Sequence, residues 1–233
     1  GEAEVIACIG GDGAAHRSFE QTAANFSSWS IDAAFPYGAG GPNAVFSLIT
    51  ARYMADFGAT REDFARICLD QRYNANHYPQ ALLGHKTLSL DDYLSARPIA
   101  GPVHLFDCVM PCAGGEGFLL MTEDRAKRLG LPYARILATD ERHNSFSEDS
   151  VQQRAGWACY RDDLYQRASL GPDDIDILQT YDDYPVISMM QIEDLGFCDK
   201  GEGPRFVRET DMRFDGSGKP ANKLPRSEEH TSE

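Results

Sequence analysis

The sequence predicts an α/β protein built on a mostly parallel sheet, because short apolar runs alternate with helical patterns along most of its 233 residues. Composition agrees: 42% hydrophobic and 25% charged residues are ordinary globular usage. The length is sufficient for one large domain or two small ones with a substantial core.

Residues 4–10 (EVIACIG) form a short apolar run ending in Gly-Gly-Asp-Gly and read as a buried strand entering a loop. Residues 37–42 (YGAGGP) open a helix over 43–57, where Val45, Leu48, Ile49, Tyr53 and Met54 recur at helical spacing. Pro42 suits its first turn and Gly58 its stop. Thr60, with an acidic residue three positions later, starts the next helix, whose inner face is Phe64, Ile67 and Cys68.

Residues 72–111 are loop-rich, with one short helix expected after Ser89. Residues 117–122 (GFLLMT) read as a buried strand and 123–130 as a helix closed by Gly130. The alternation continues with a strand at 133–139 and a long helix at 150–170. A further strand at 176–181 leads to a helix at 186–195 stopped by Gly196. Residues 226–233 (RSEEHTSE) carry no apolar residue and match the translation of a common sequencing adapter, so they are expected to be non-native.

A net charge of -14 excludes a generic nucleic-acid binder, which needs clustered Lys and Arg, but not a site for a small anion. No window holds an apolar run long enough for a membrane span, and residues 1–13 lack the basic leader and cleavage site of a signal peptide. Six dispersed cysteines do not form a secreted disulfide framework, which points to a reducing cytoplasm. Cys8, Cys68 and Cys159 are expected as small core residues. Cys108 and Cys112 have no second pair to complete a zinc site, so no metal is expected. His77, His85, His104 and His143 lack metal spacing; His104 reads as half-buried and His143 as exposed. Glu116 needs a partner if its strand is buried.

The turn Tyr181-Asp182-Asp183-Tyr184-Pro185 lies at the carboxyl end of an expected strand and before a helix, where α/β sheets place ligand sites. Tyr181 and Asp182 are the candidate catalytic residues. A phenol can donate a hydrogen bond or shuttle a proton, though it acts as a base at neutral pH only with a lowered pKa. Asp182 and Asp183 could instead cap the following helix.

Three segments are similar to the thiolase superfamily, in the branch related to sterol-carrier-protein thiolases. They are residues 51–75 (ARYMADFGATREDFARICLDQRYNA), 93–122 (from Ser95, SARPIAGPVHLFDCVMPCAGGEGFLLMT) and 174–203 (DIDILQTYDDYPVISMMQIEDLGFCDKGEG). The resemblance implies a partial thiolase-like fold, layered αβαβα in two similar halves. Residues 1–131 would end the first half with its loop insertion, and 132–225 would start the second. It also implies that the nucleophilic Cys precedes residue 1 and the catalytic His segment follows residue 225. Sheet edges and apolar faces are then expected to be uncovered in this stretch. Cys198 matches a family Cys that is not catalytic.

In the family the turn often reads His-Asp-Cys-Phe or Asn-Glu-Ala-Phe, and its first residue holds a catalytic water or the thioester oxygen. Tyr181 stands at that place. The leading expectation is an acyl-CoA C-acyltransferase with a coenzyme A thioester as substrate and no resident cofactor. A second is a retro-aldol lyase that moves the proton of a β-hydroxyacyl-CoA by tyrosine, and a third a non-catalytic lipid- or acyl-CoA-binding protein. The resemblance further implies a homo-oligomer and, for the lyase, a small partner carrying a zinc ribbon and an oligonucleotide-binding-type barrel.

Overall fold

A computed structural model describes residues 3–12, 35–38, 41–110 and 113–215. The expected tail at 226–233, and Cys112 of the cysteine pair, lie outside these. The first two long helices form where the sequence places them, as α1 (Gly41–Phe57) and α2 (Arg61–Ala75). Gly58, at φ +67°, ends α1 in a conformation that a residue with a Cβ rarely adopts. The Asp63 carboxylate accepts from the Thr60 backbone N–H at 2.9 Å and from its hydroxyl at 3.2 Å, so the start of α2 is closed as the spacing predicts. Ser89 caps the short α3 (Leu90–Leu94), accepting from the Asp92 N–H at 3.1 Å.

The chain then forms a small antiparallel pair, β2 (Pro98–Ala100) and β3 (Val103–His104). His104 is half-buried, its Nδ1 lying 2.7 Å from the Ala96 carbonyl oxygen. After β4 (Gly114–Met121) comes α4 (Glu123–Leu129), closed by Gly130 at φ +64°. The remaining helices are α5 (Gly156–Ala168), α6 (Pro185–Asp194) and α7 (Gly203–Glu209). The onset of α5 is six residues later than the pattern suggests, because polar side chains tie the preceding segment into a loop. Asp149 accepts from the Val151 N–H, and Gln152 donates to the carbonyls of Ser145 and Phe146.

All ten residues of α6 are buried, and α1, α2, α5 and α7 pack around it. Its apolar residues pack into the core, and its four polar ones, Ser188, Gln191, Glu193 and Asp194, are buried with hydrogen-bond partners. Tyr53, Phe64, Tyr93, Met189 and Val207 belong to this core. Each fully buried apolar side chain of this size contributes about 1.5–3 kcal/mol.

The strands depart from expectation. β1 (Val5–Asp12) pairs antiparallel with β4, from Val5 opposite Met121 to Asp12 opposite Gly114. Residues 133–139 and 176–181 find no ladder partner among the described residues, so the parallel sheet expected from the alternation is not formed there. Among the described residues neither has a strand neighbour; side chains bond their ends instead, Arg167 the Thr139 carbonyl and Gln191 the Tyr181 backbone. The β1–β4 ribbon is open to solvent and not buried: Ile9 is 84% exposed and Phe118 63%. Glu116, also exposed, therefore needs no partner.

Cys8 is only half-buried in this ribbon, and Cys159 is exposed on α5, against the core positions expected for both. Cys68 does pack against the core, as expected for α2. His143 is exposed, with its Nε2 2.5 Å from the Glu141 carboxylate. Among the described residues no helix is long and apolar enough to cross a membrane.

Candidate active site

The turn at 181–185 joins the unpaired segment 176–181 to α6, and packing from three directions fixes it. Tyr184 is buried to 1% exposure; its ring stacks on Phe46 of α1 at 4.3 Å and its hydroxyl donates to Asn43 Oδ1. The Asp183 carbonyl accepts from the Val109 N–H at 3.0 Å, which draws the segment after β3 against the turn. Asp182 accepts from Gln71 Nε2 of α2 at 3.0 Å. Gln191, one turn from the end of α6, grips the Tyr181 backbone at both polar groups. The Tyr181 N–H donates to its Oε1 at 3.1 Å, and its Nε2 donates to the Tyr181 carbonyl at 2.7 Å.

So held, Tyr181 turns its ring outward, 55% exposed, and its hydroxyl donates to Asp183 Oδ2. Desolvation pushes the phenol up to about 12, and the Asp183 hydrogen bond and the two neighbouring carboxylates add to this. The pKa is raised and not lowered, so Tyr181 alone is a proton donor at neutral pH. Asp182 is also raised, by desolvation and then by the adjacent Asp183 charge.

Neither aspartate caps α6. Tyr184 occupies the cap position without a side-chain hydrogen bond, and Pro185, at the first helical position, has no N–H to cap. The aspartates are engaged elsewhere, by Gln71 and by the Tyr181 hydroxyl.

Behind the turn lies a cavity of about 130 Å³. Ile67, Phe197, Phe206 and Met212 wall it, with Gln71 and Thr180 on the side nearest Tyr181. At the far end of α6, Glu193 Oε1 accepts from the Tyr53 hydroxyl and from the N–H groups of Gly201 and Gly203, both at 3.0 Å. The Lys200 ammonium lies 2.9 Å from Glu193 Oε2 and 2.6 Å from Asp194 Oδ1, compensating both buried carboxylates. A Cβ on Gly203 would fall 2.7 Å from Glu193 Oε1, so the Gly-Glu-Gly run is small because this carboxylate needs close backbone donors.

Burial raises the thiols of Cys68, Cys108 and Cys198, the second to about 11 and the third to about 12. These three are therefore protonated structural cysteines. Gln71, Asn43, Gln191 and Glu193 escape the sequence pattern. Their only local signal is a polar residue on an otherwise apolar helix, visible for Gln191 and Glu193 alone.

A helical layer thus encloses α6, with a tyrosine-aspartate turn at its amino end. Residues 138–223 match the family described as thiolase C-terminal domain-like. The chain is 28% identical to a steroid side-chain-cleaving aldolase of Thermomonospora curvata, over 93% of this chain and 59% of that protein. It is 25% identical to an acetyl-CoA acetyltransferase of Methanothermobacter thermautotrophicus, over 74% of this chain and 46% of that one. Among solved structures, one described as Ltp2-ChsH2(DUF35) aldolase superposes with a TM-score of 0.74 at 26% identity, covering 90% of this chain and 56% of that chain. The chain resembles the thiolase superfamily and carries a thiolase-like fold. It spans about half to three-fifths of the length of these relatives.

Proposed function

We propose that the whole protein is a thiolase-like retro-aldol lyase that cleaves a β-hydroxyacyl-CoA, with Tyr181 and Asp183 moving the proton. The observation that carries this reading is the Tyr181 hydroxyl, exposed to an incoming substrate and hydrogen-bonded to a carboxylate. In the step, the phenolic oxygen accepts the proton of the substrate's β-hydroxyl while its own proton passes to Asp183. The β-carbon becomes a carbonyl, the Cα–Cβ bond breaks, and its electron pair forms the enolate of the CoA thioester. A proton returned to Cα completes the reaction, with no oxidant, reductant or free CoA consumed. A relay suits a phenol whose pKa is raised, because it never has to exist as free phenolate. Asp182, held by Gln71, keeps the turn's negative charge beside the relay.

Similarity to an aldolase over nearly the whole chain supports the lyase reading, and a solved aldolase whose description pairs two proteins supports a small zinc-ribbon and barrel partner. Similarity to an acetyl-CoA acetyltransferase favours a second reading, transfer of an acyl group between 3-oxoacyl-CoA and CoA. A homo-oligomer acting in the cytoplasm on a coenzyme A thioester, without a resident cofactor, fits either.

The test is the Tyr181→Phe variant of the whole protein, assayed for release of carbonyl product and acyl-CoA from a β-hydroxyacyl-CoA. A loss of at least about a hundredfold in kcat with CoA-ester affinity retained is expected. Unchanged turnover overturns the role of Tyr181. Turnover of 3-oxoacyl-CoA that depends on added CoA, without aldol cleavage, replaces the lyase with the transferase. Binding without either reaction leaves a carrier.

A further inference from the structure

Residues 176–181 have no ladder partner among the described residues, yet they deliver Tyr181 to the turn. Their anchorage comes from α6. Ser188 and Gln191, one helical turn apart, face residues 180 and 181. The hydroxyls of Ser188 and Thr180 lie 2.9 Å apart, and Gln191 makes its two bonds to the Tyr181 backbone. A third bond, from Gln191 Nε2 to the Ile187 carbonyl at 3.2 Å, holds the amide in place. Gln191 is 5% exposed, and its burial is compensated only because all of these bonds form.

We propose that Gln191 is a positioning residue for Tyr181: its carboxamide stands in for a neighbouring strand, pairing with the N–H and carbonyl of one residue as a sheet partner would. This inference rests on the relay proposed for Tyr181. A carboxamide offers one donor and one acceptor side by side, as a peptide does. No carboxylate or ammonium can satisfy both ends. The clasp sets the backbone from which the ring projects toward Asp183, and a displacement of about 1 Å at such a point can cost on the order of a hundredfold in rate.

The test compares Gln191→Met, close in volume but unable to pair, with Tyr181→Phe and with the double variant, all in the whole protein. Gln191→Met is expected to lower kcat by about ten- to a hundredfold with KM within about twofold. It is also expected to speed amide exchange in the peptide containing residues 178–184. In the Tyr181→Phe background it should cost about threefold or less, because the group it positions is gone. Equal losses in both backgrounds, or unchanged exchange at 178–184, would falsify the inference. Should Gln191→Met fail to fold, Gln191→Asn keeps a neutral amide but is one methylene too short to hold both ends; full activity in it overturns the clasp. If Tyr181→Phe is itself fully active, the relay fails and not the hydrogen-bond geometry, which the exchange measurement reports separately.

Discussion

Helix α6 and the β1–β4 ribbon are drawn from comparably apolar sequence, yet one is enclosed and the other lies open. PVISMMQIED is buried at every position, whereas Phe118, Leu119 and Leu120 of β4 are 63%, 58% and 39% exposed. A helix satisfies its own backbone, so side chains alone can surround it. A two-stranded ribbon satisfies only its inner edge and needs further strands and a covering layer before its apolar residues leave water. Apolar character therefore predicts the need for burial, while topology decides whether that need is met.

The sharpest way to break the contrast is to remove the charge at the inner end of α6. Glu193→Ala leaves the Tyr53 hydroxyl and two glycine N–H groups without their acceptor, and Lys200 with Asp194 alone. Leaving these buried donors unpaired is expected to cost about 2–4 kcal/mol in denaturant unfolding. A cost below about 1 kcal/mol would make this cluster incidental to the fold.

Paired truncations probe the contrast more directly. Met189→Ala in α6 should cost about 2–5 kcal/mol by leaving a cavity, whereas Phe118→Ala in the ribbon should cost no more than about 0.5 kcal/mol. Equal costs in parallel denaturation curves would mean that the ribbon is covered in solution.

The smallest effect is in pH. Burial raises Asp70, Asp107 and Asp194, all in or beside the helical layer. A carboxyl raised by folding binds its proton more readily in the native state, so acidification from about pH 7 to about pH 5 should raise the unfolding midpoint slightly. The gain reverses below the ordinary carboxylate range. There Asp211, held down to about 2 mainly by its Arg213 hydrogen bond, is protonated sooner in the unfolded chain. A midpoint that falls steadily across the upper interval would mean that these carboxylates are better compensated than their burial implies.

What could be read from sequence divides along the same line. Helices α1, α2 and α6 announce themselves through local signals: Gly58, the Thr60–Asp63 spacing, Pro185 and Gly196 each act within a few residues. The location of the Tyr181 turn is legible for the same reason. Strand partnership is not, because residues 133–139 look alike whether or not a neighbour exists. The site's supports are non-local too: Gln71 reaches Asp182 across 111 positions and Asn43 meets Tyr184 across 141. The capping role considered for Asp182 and Asp183 follows sound local rules. It is displaced because Tyr184 takes the cap position and Tyr181 and Gln71 occupy the carboxylates.

The Tyr53–Glu193 bond joins residues 140 positions apart, and that separation governs how the protein is made as well as how it stands. At about 5–20 residues per second, a ribosome delivers α6 roughly seven to thirty seconds after α1. Throughout that interval the faces of α1 and α2 that α6 covers stay open, and binding of a holding chaperone to the nascent chain is expected. Slowing translation between the two helices should lengthen that dependence.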